Sequence, residues 1–468
     1  MSSVMVFRML AQFLVIPILS RLLSPDDYGI VAIAMPFVLF TMMFSDVGIG
    51  QSLIRTSQQE EDVWSTSFWL TICLGVGLAL LVAGAAPFAA LFFGEPRLRP
   101  LVTALAFVMI PQAATTIPEA YLRKRHRFGV IAGTEAAAMA AGFIAAIVLA
   151  YKGGGAWALI AQQVAMYSAR FVLTYFFGDF RPRLIFDLRR VADHLIFGRN
   201  VLGASFVLTL TQSLDGLIVG KILGPMFLGF YSMALMFVRL PARMVTGPLE
   251  YVIYVHLTRF GDDKPVIRQV FLLLTRILAI LLFPAIGMVA AAHEPLFKLL
   301  LSEKWAESGR LFMLAAPAAA LQAATGFTNS FMMALGRTKV QLRLNAEFCI
   351  LMAAALLVLS WLGITWAVLG YSAAVFLYFP RFMALILPQL ECSRAAYLRV
   401  LIVPAAITLA CVLLYTDLTE ILALGDWQRL FLGGGISLLG IGAGVLAQYR
   451  FLFGEAALLN KVEAEGTA

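Results

Sequence analysis

Long apolar stretches follow one another from end to end of this chain, and no hydrophilic interval between them exceeds roughly 20 residues. Each stretch is long enough to cross about 30 Å of hydrocarbon as a helix. Charged residues make up only 13% of the sequence, against roughly 25% in a soluble globular chain. The mean hydropathy of +0.88 says the same. The pattern excludes a soluble fold and specifies an all-α polytopic membrane protein.

Spanning segments are expected near 4–22, 28–50, 64–93, 98–120, 128–151, 155–177, 195–223, 227–249, 267–291, 309–335, 340–361, 364–387, 397–415 and 428–450, about fourteen in all. Pro87, Pro111, Pro248, Pro284, Pro317 and Pro404 fall inside several of them. In a bundle these kink a helix without ending it, because neighbours and water satisfy the freed carbonyls. The first segment lacks a small-residue cleavage site and reads as a retained helix. Cys73, Cys349, Cys392 and Cys411 show neither paired nor metal spacing and read as apolar packing residues.

Basic residues give the orientation. With the N-terminus inside, Arg123-Lys124-Arg125-His126-Arg127, the arginines from Arg181 to Arg190, and those near Arg259, Arg337 and Arg394 all fall on inner loops. The outer connections hold chiefly Arg97, Arg99, Lys152, Lys298 and Lys304. That bias sets N-in, C-in. It also accounts for the pI near 9.4 without nucleic acid, since basic inner loops lie beside anionic lipid.

The turn Arg21-Leu22-Leu23-Ser24-Pro25-Asp26-Asp27-Tyr28-Gly29-Ile30 returns 200 positions later as Lys221-Ile222-Leu223-Gly224-Pro225-Met226-Phe227-Leu228-Gly229-Phe230. Gln12 falls on Gln212 at the same offset, and Ala34, Phe37 and Val38 fall on Ala234, Phe237 and Val238. Pro25 with Gly29 and Pro225 with Gly229 therefore mark equivalent turns of a duplicated half. Six spans separate the two turns, so the repeats are parallel, related by an axis along the membrane normal. A second echo pairs Glu135 and Trp157 with Glu347 and Trp366. The expected organisation is a six-helix lobe at 1–177, a basic linker at 178–194, a second six-helix lobe at 195–387, and two further helices with a tail at 388–468. Phe186, Leu188 and Val191, set among arginines, suit the linker to an interfacial amphipathic helix.

No nucleotide-binding loop, zinc-protease motif, serine elbow or Asp-x-Asp cluster occurs, and no outer loop is long enough to carry a catalytic site. No enzyme, catalytic residue, cofactor or metal site is expected. The ionisable residues inside spans are the functional candidates, because a charge at bilayer depth costs about 2.5 kcal/mol or more unless it faces a cavity or a partner. They are Arg8, Glu135, Arg170, Arg199, Asp215, Arg239, Arg243, Arg276, Glu347 and Arg381. Arg8, Arg199, Arg243 and Arg381 lie close enough to an inner end to snorkel. Asp215, beside Gln212 and Ser213, suits a cavity wall or a coupling group. Glu135 and Glu347 suit pairing or coupling. Arginine outnumbers acid here, and its planar fork favours an anionic cargo over a cationic drug.

Leu22 to Ala32, Phe44-Ser45-Asp46-Val47-Gly48-Ile49-Gly50-Gln51-Ser52-Leu53-Ile54-Arg55, Tyr121-Leu122-Arg123-Lys124-Arg125, the glycine turn before Trp157, and Asp215 with Lys221 resemble the polysaccharide-biosynthesis flippases. These Wzx-like proteins belong to the multidrug/oligosaccharidyl-lipid/polysaccharide exporter superfamily. The resemblance implies two six-helix lobes around a central cavity, two extra helices, and residence in the bacterial inner membrane. It also implies alternating access that turns an undecaprenyl-diphosphate-linked oligosaccharide across the membrane for exopolysaccharide, lipopolysaccharide or capsule synthesis. Membrane lipids, a polysaccharide polymerase, a chain-length regulator and H+ or Na+ coupling are the implied partners. Arg199, Arg239, Arg243, Arg170, Gln212 and Asp215 are the expected cavity residues. The alternatives are a cation-coupled drug antiporter of the same superfamily and a scaffold of a polysaccharide assembly complex. A membrane glycosyltransferase is the enzyme-class rival, and it lacks the acidic loop it would need.

Overall fold

The computed structural model describes residues 15–46, 49–55, 61–187, 209–210, 213–257, 264–449 and 451, with side chains at all of these except 40–46, 51, 55, 242–257 and 338. The described secondary structure is helical throughout. The chain divides into two compact units, Met1–Gly229 and Phe230–Ala468.

The first unit begins with α1 (Val15–Leu22) and α2 (Pro25–Asp46), bent by 116° at the Leu23-Ser24 corner. A capping box makes that corner: Ser24 N and Oγ donate to Asp27 Oδ2 at 2.9 and 2.6 Å, and Asp27 N donates back to Ser24 Oγ at 3.2 Å. Then come α3 (Ile49–Arg55), α4 (Glu61–Phe93), α5 (Leu98–Ala106), α6 (Met109–Lys124), α7 (Phe128–Tyr151) and α8 (Ala156–Phe177). The glycine run after Lys152 lets α7 fold back along α8. Gly153 and Gly155 hold the positive φ values that such a corner demands. The unit ends with α9 (213–223) and the first turn of α10 (Pro225–Leu257).

The second unit contains the rest of α10, then α11 (Lys264–Ala291), α12 (His293–Leu300), α13 (Ala306–Thr325), α14 (Thr328–Ala334), α15 (Thr338–Leu359), α16 (Ile364–Ile386), α17 (Arg394–Ile421) and α18 (Asp426–Ala447). Helix α11 is central, packing against α13, α17 and α18, with 61% of its apolar window buried. The corresponding figure is 22% in α4 and α18, whose exposed leucines and phenylalanines suit a lipid surround.

Among the described residues nine helices are long and apolar enough to span a membrane, or ten with the bent α1–α2 pair counted as one. The protein is multi-pass. Helix α7 has the expected bounds. The segment expected at 98–120 is broken at Phe107–Val108 and runs on to Lys124.

The linker differs from expectation over its described part. Residues 178–187 form no helix and lie extended along α4. Arg183 N donates to Ser65 Oγ at 3.0 Å, Asp187 N to Thr66 Oγ1 at 3.3 Å, and Trp69 Nε1 to the Arg183 carbonyl at 2.8 Å. Phe180 enters the core made by Leu53, Trp64, Phe68 and Ile117. Pro182 lacks an N–H for an intrahelical bond, and the α4 hydroxyls and indole offer the backbone other partners. Residues 188–194, with Leu188 and Val191, lie outside the described residues.

Candidate functional site

The two turns paired by the sequence repeat meet inside the first unit. A Cβ on Gly29 would stand 1.7 Å from the Pro225 carbonyl oxygen, and one on Gly229 would stand 1.8 Å from that of Pro25. Each glycine admits the other turn's backbone, a reciprocal approach that no side chain permits. The two corners differ in their caps, since Gly224 at φ +86° stands where Ser24 makes its box.

Helices α6 and α8 enclose a polar pocket of about 190 Å³ in the same unit, completed by Gly50 and Ile54 of α3. Gln112, Thr115, Thr116, Glu119 and Arg123 line it from α6, and Arg170 from α8. Their spacing along α6 follows the helical period, so one face of an otherwise apolar helix is polar. Glu119 sits between two guanidiniums: Arg123 Nη2 donates to Oε1 at 2.5 Å and Arg170 Nη2 to Oε2 at 2.6 Å. Its side chain is only 12% exposed, and that of Arg170 is 23% exposed. Removed from water, the carboxylate depends on both partners. Gln112 Oε1 is buried in this pocket without a hydrogen-bond partner.

The second unit holds a different cleft. An apolar groove of about 950 Å³ runs between α11, α13, α16 and α17, walled by residues such as Phe283, Met313, Leu321, Phe379, Leu401 and Leu409. Polar groups gather where His293, Thr416, Thr419 and Arg429 line it. Elsewhere in this unit Glu347 is held by Arg343 Nε at 2.7 Å on its own helix and by Arg381 Nε at 2.8 Å on α16.

The sequence model of the polysaccharide biosynthesis protein family matches residues 18–310, more than half of the chain. The chain belongs to that family. The succinoglycan biosynthesis transport protein ExoT of Rhizobium meliloti is 27% identical over 63% of this chain, and the chain spans 60% of that protein. The Escherichia coli lipopolysaccharide biosynthesis protein WzxC is 25% identical, covering 70% of this chain and 67% of its own. The lipid II flippase MurJ, solved in an inward closed conformation, shares the fold at TM-score 0.77 and 13% identity over 97% of this chain and 99% of its own. An inward-facing multidrug MATE transporter follows at TM-score 0.64 and 15% identity, over 80% and 94% of the two chains. ExoT is named a transport protein and MurJ a flippase, and this family member is a multi-pass membrane protein.

The structure brings only some of the sequence-named residues together. Arg170 pairs with Glu119, which Arg123 also holds, and Glu347 pairs with Arg343 and Arg381. Asp215 is 3% exposed on α9, within the first unit. Arg239 is half-buried on α10 and Glu135 half-buried on α7. Arg8, Arg199 and Gln212 lie outside the described residues, as does the side chain of Arg243. Glu119 is absent from the sequence candidates, and Arg123 stands among them only as a topology signal and as part of the Tyr121–Arg125 family motif. The signal that could have found them is the polar stripe Gln112, Thr116, Glu119, Arg123 on an apolar segment.

Proposed function

We propose that this protein turns an undecaprenyl-diphosphate-linked oligosaccharide from the inner to the outer leaflet of the bacterial inner membrane, for exopolysaccharide, lipopolysaccharide or capsule synthesis. The observation that carries the reading is the chemistry of the two clefts: a polar, guanidinium-bearing pocket and a long apolar groove. A lipid-linked sugar has one part for each. The names of ExoT and WzxC and the lipid II cargo of MurJ favour the same class.

Two parallel six-helix repeats rocking in alternating access, N-in and C-in, with the lobe and linker bounds given above, complete the proposal. The reciprocal Gly29 and Gly229 approach supports the duplication. Asp215, Arg239, Arg199, Arg243 and Gln212 are assigned to the transport path, Glu135 and Glu347 to pairing or coupling. Coupling to H+ or Na+ and hand-over to a polymerase and a chain-length regulator belong to the same reading. The antiporter alternative needs a carboxylate free to exchange a cation. Glu119 and Glu347 are each engaged by two arginines, which counts against it at those two positions.

Reconstituted vesicles test the proposal. A labelled polyprenyl-diphosphate oligosaccharide should become accessible to an externally added, membrane-impermeant glycosidase only when the protein is present. Exposure no faster than in protein-free vesicles would overturn it.

A further inference from the structure

The polar pocket in the first unit is built like a site whose ligand is supplied from within. Two arginines from different helices converge on one carboxylate, each taking a different oxygen. Two guanidiniums arranged in this way, each giving one N–H to a different oxygen, suit a small oxyanion such as a carboxylate. Around it stand groups that can accept hydrogen bonds. Gln112 Oε1 is buried and unpartnered. Thr115 and Thr116 give their hydroxyl protons to the Pro111 and Gln112 carbonyls at 2.7 and 3.3 Å, which leaves lone pairs on both oxygens. A ligand able to fill these positions carries hydroxyl donors. At about 190 Å³ the pocket is smaller than the roughly 300–1,000 Å³ of a drug-sized site and suits one sugar ring, not an oligosaccharide. An anionic group and hydroxyl donors on one small ring describe a sugar acid.

We infer that this pocket recognises a single acidic sugar of the cargo, a uronic acid, whose carboxylate replaces that of Glu119 between Arg123 and Arg170. This rests on the flippase reading and deepens it by naming a cargo class. Glu119 is the internal stand-in. It neutralises the arginines while the pocket is empty, excludes weaker anions and neutral sugars, and yields to a carboxylate that also satisfies Gln112 and the threonines. Buried polar groups left unpaired are the basis of strong discrimination, so a neutral sugar that leaves the fork unexchanged is rejected. Arg123, 56% exposed against 23% for Arg170, is the member placed to release Glu119 first.

Soluble probes test the pocket without transport. Sodium glucuronate should raise the melting temperature of the purified protein at matched ionic strength, and glucuronate methyl ester and glucose should not. Glu119→Gln should tighten the glucuronate response roughly tenfold by removing the competitor. Arg170→Gln should abolish it, and Arg170→Lys should restore part. Equal responses to acid and ester, or a glucuronate response that survives Arg170→Gln, would overturn the inference. The vesicle assay separates its failure from that of the flippase reading. Two polyprenyl-diphosphate cargoes are compared, identical except that one carries glucuronate and the other glucose. Preference for the acidic cargo that is lost in Arg170→Gln supports the inference. Equal transport of both overturns it and leaves the flippase standing, and transport of neither overturns both.

Discussion

The polar pocket of the first unit and the apolar groove of the second use the same material, membrane helices packed side by side, for opposite purposes. In the pocket, one face of α6 carries hydrogen-bonding groups and Arg170 comes across from α8. In the groove, α11, α13, α16 and α17 present leucine, phenylalanine, methionine and alanine with polar groups few among them. The surrounding bilayer explains the contrast. A tail already in lipid gains little hydrophobic free energy by entering an apolar groove, so the groove can guide it and let it go. A charged or hydroxylated head has no comparable alternative within the membrane, so a small pocket can select it strongly. On the proposed flippase reading, selectivity belongs to the pocket and permissiveness to the groove.

The largest expected effect comes from breaking the contact between the two turns of the first unit. Gly29→Ala and Gly229→Ala each drive a methyl into the opposite turn's backbone. Each should cost about 3 kcal/mol or more and yield little folded protein, as read by size-exclusion of the detergent-solubilised membrane fraction. Because the contact is reciprocal, the two losses should match. A folded, active Gly29→Ala protein would show that the turns separate at little cost.

Filling the groove is the next test. Ala320→Phe or Ala405→Phe at its wall should slow translocation of a polyprenyl-linked cargo roughly tenfold by obstructing the tail. The melting shift given by soluble glucuronate should survive. Loss of both together would show that the two clefts are not chemically independent.

The smallest effect sharpens the comparison within a shared motif. Glu119 and Glu347 are each held by one arginine four residues away and one from a neighbouring helix. Arg170→Gln should cost about 2 kcal/mol, because Glu119 is mostly buried and its remaining partner is more exposed. Arg381→Gln should cost less, since Glu347 keeps Arg343 and more water, and exposed pairs contribute little. Paired thermal melts measure the ranking. The reverse order would place the functional carboxylate at Glu347.

Among the described residues the long apolar helices were legible in the sequence, because hydropathy and length decide them. Phe128–Tyr151 has the expected ends, and Glu61–Phe93 is three residues longer at its start. The site was less legible. Glu119 pairs with a residue 51 positions away, and its helix runs past the expected boundary at residue 120, which makes Arg123 part of a wall and not a loop. Sequence periodicity can expose such a stripe but not the Arg170 that closes it. The linker misled for a related reason. Its alternating arginines and apolar residues suit an amphipathic helix, yet Ser65, Thr66 and Trp69 of α4 take its backbone over the described residues.

The reciprocal glycine contact bears on how the protein is made. Gly29 emerges from the ribosome early, but the backbone it must receive is that of Pro225, 196 residues later. At about 5–20 residues per second, that is a delay of roughly 10–40 s. During that interval the α2 end of the first unit has a notch and no occupant. The first unit therefore cannot finish until the start of α10, the last piece it needs, has been made.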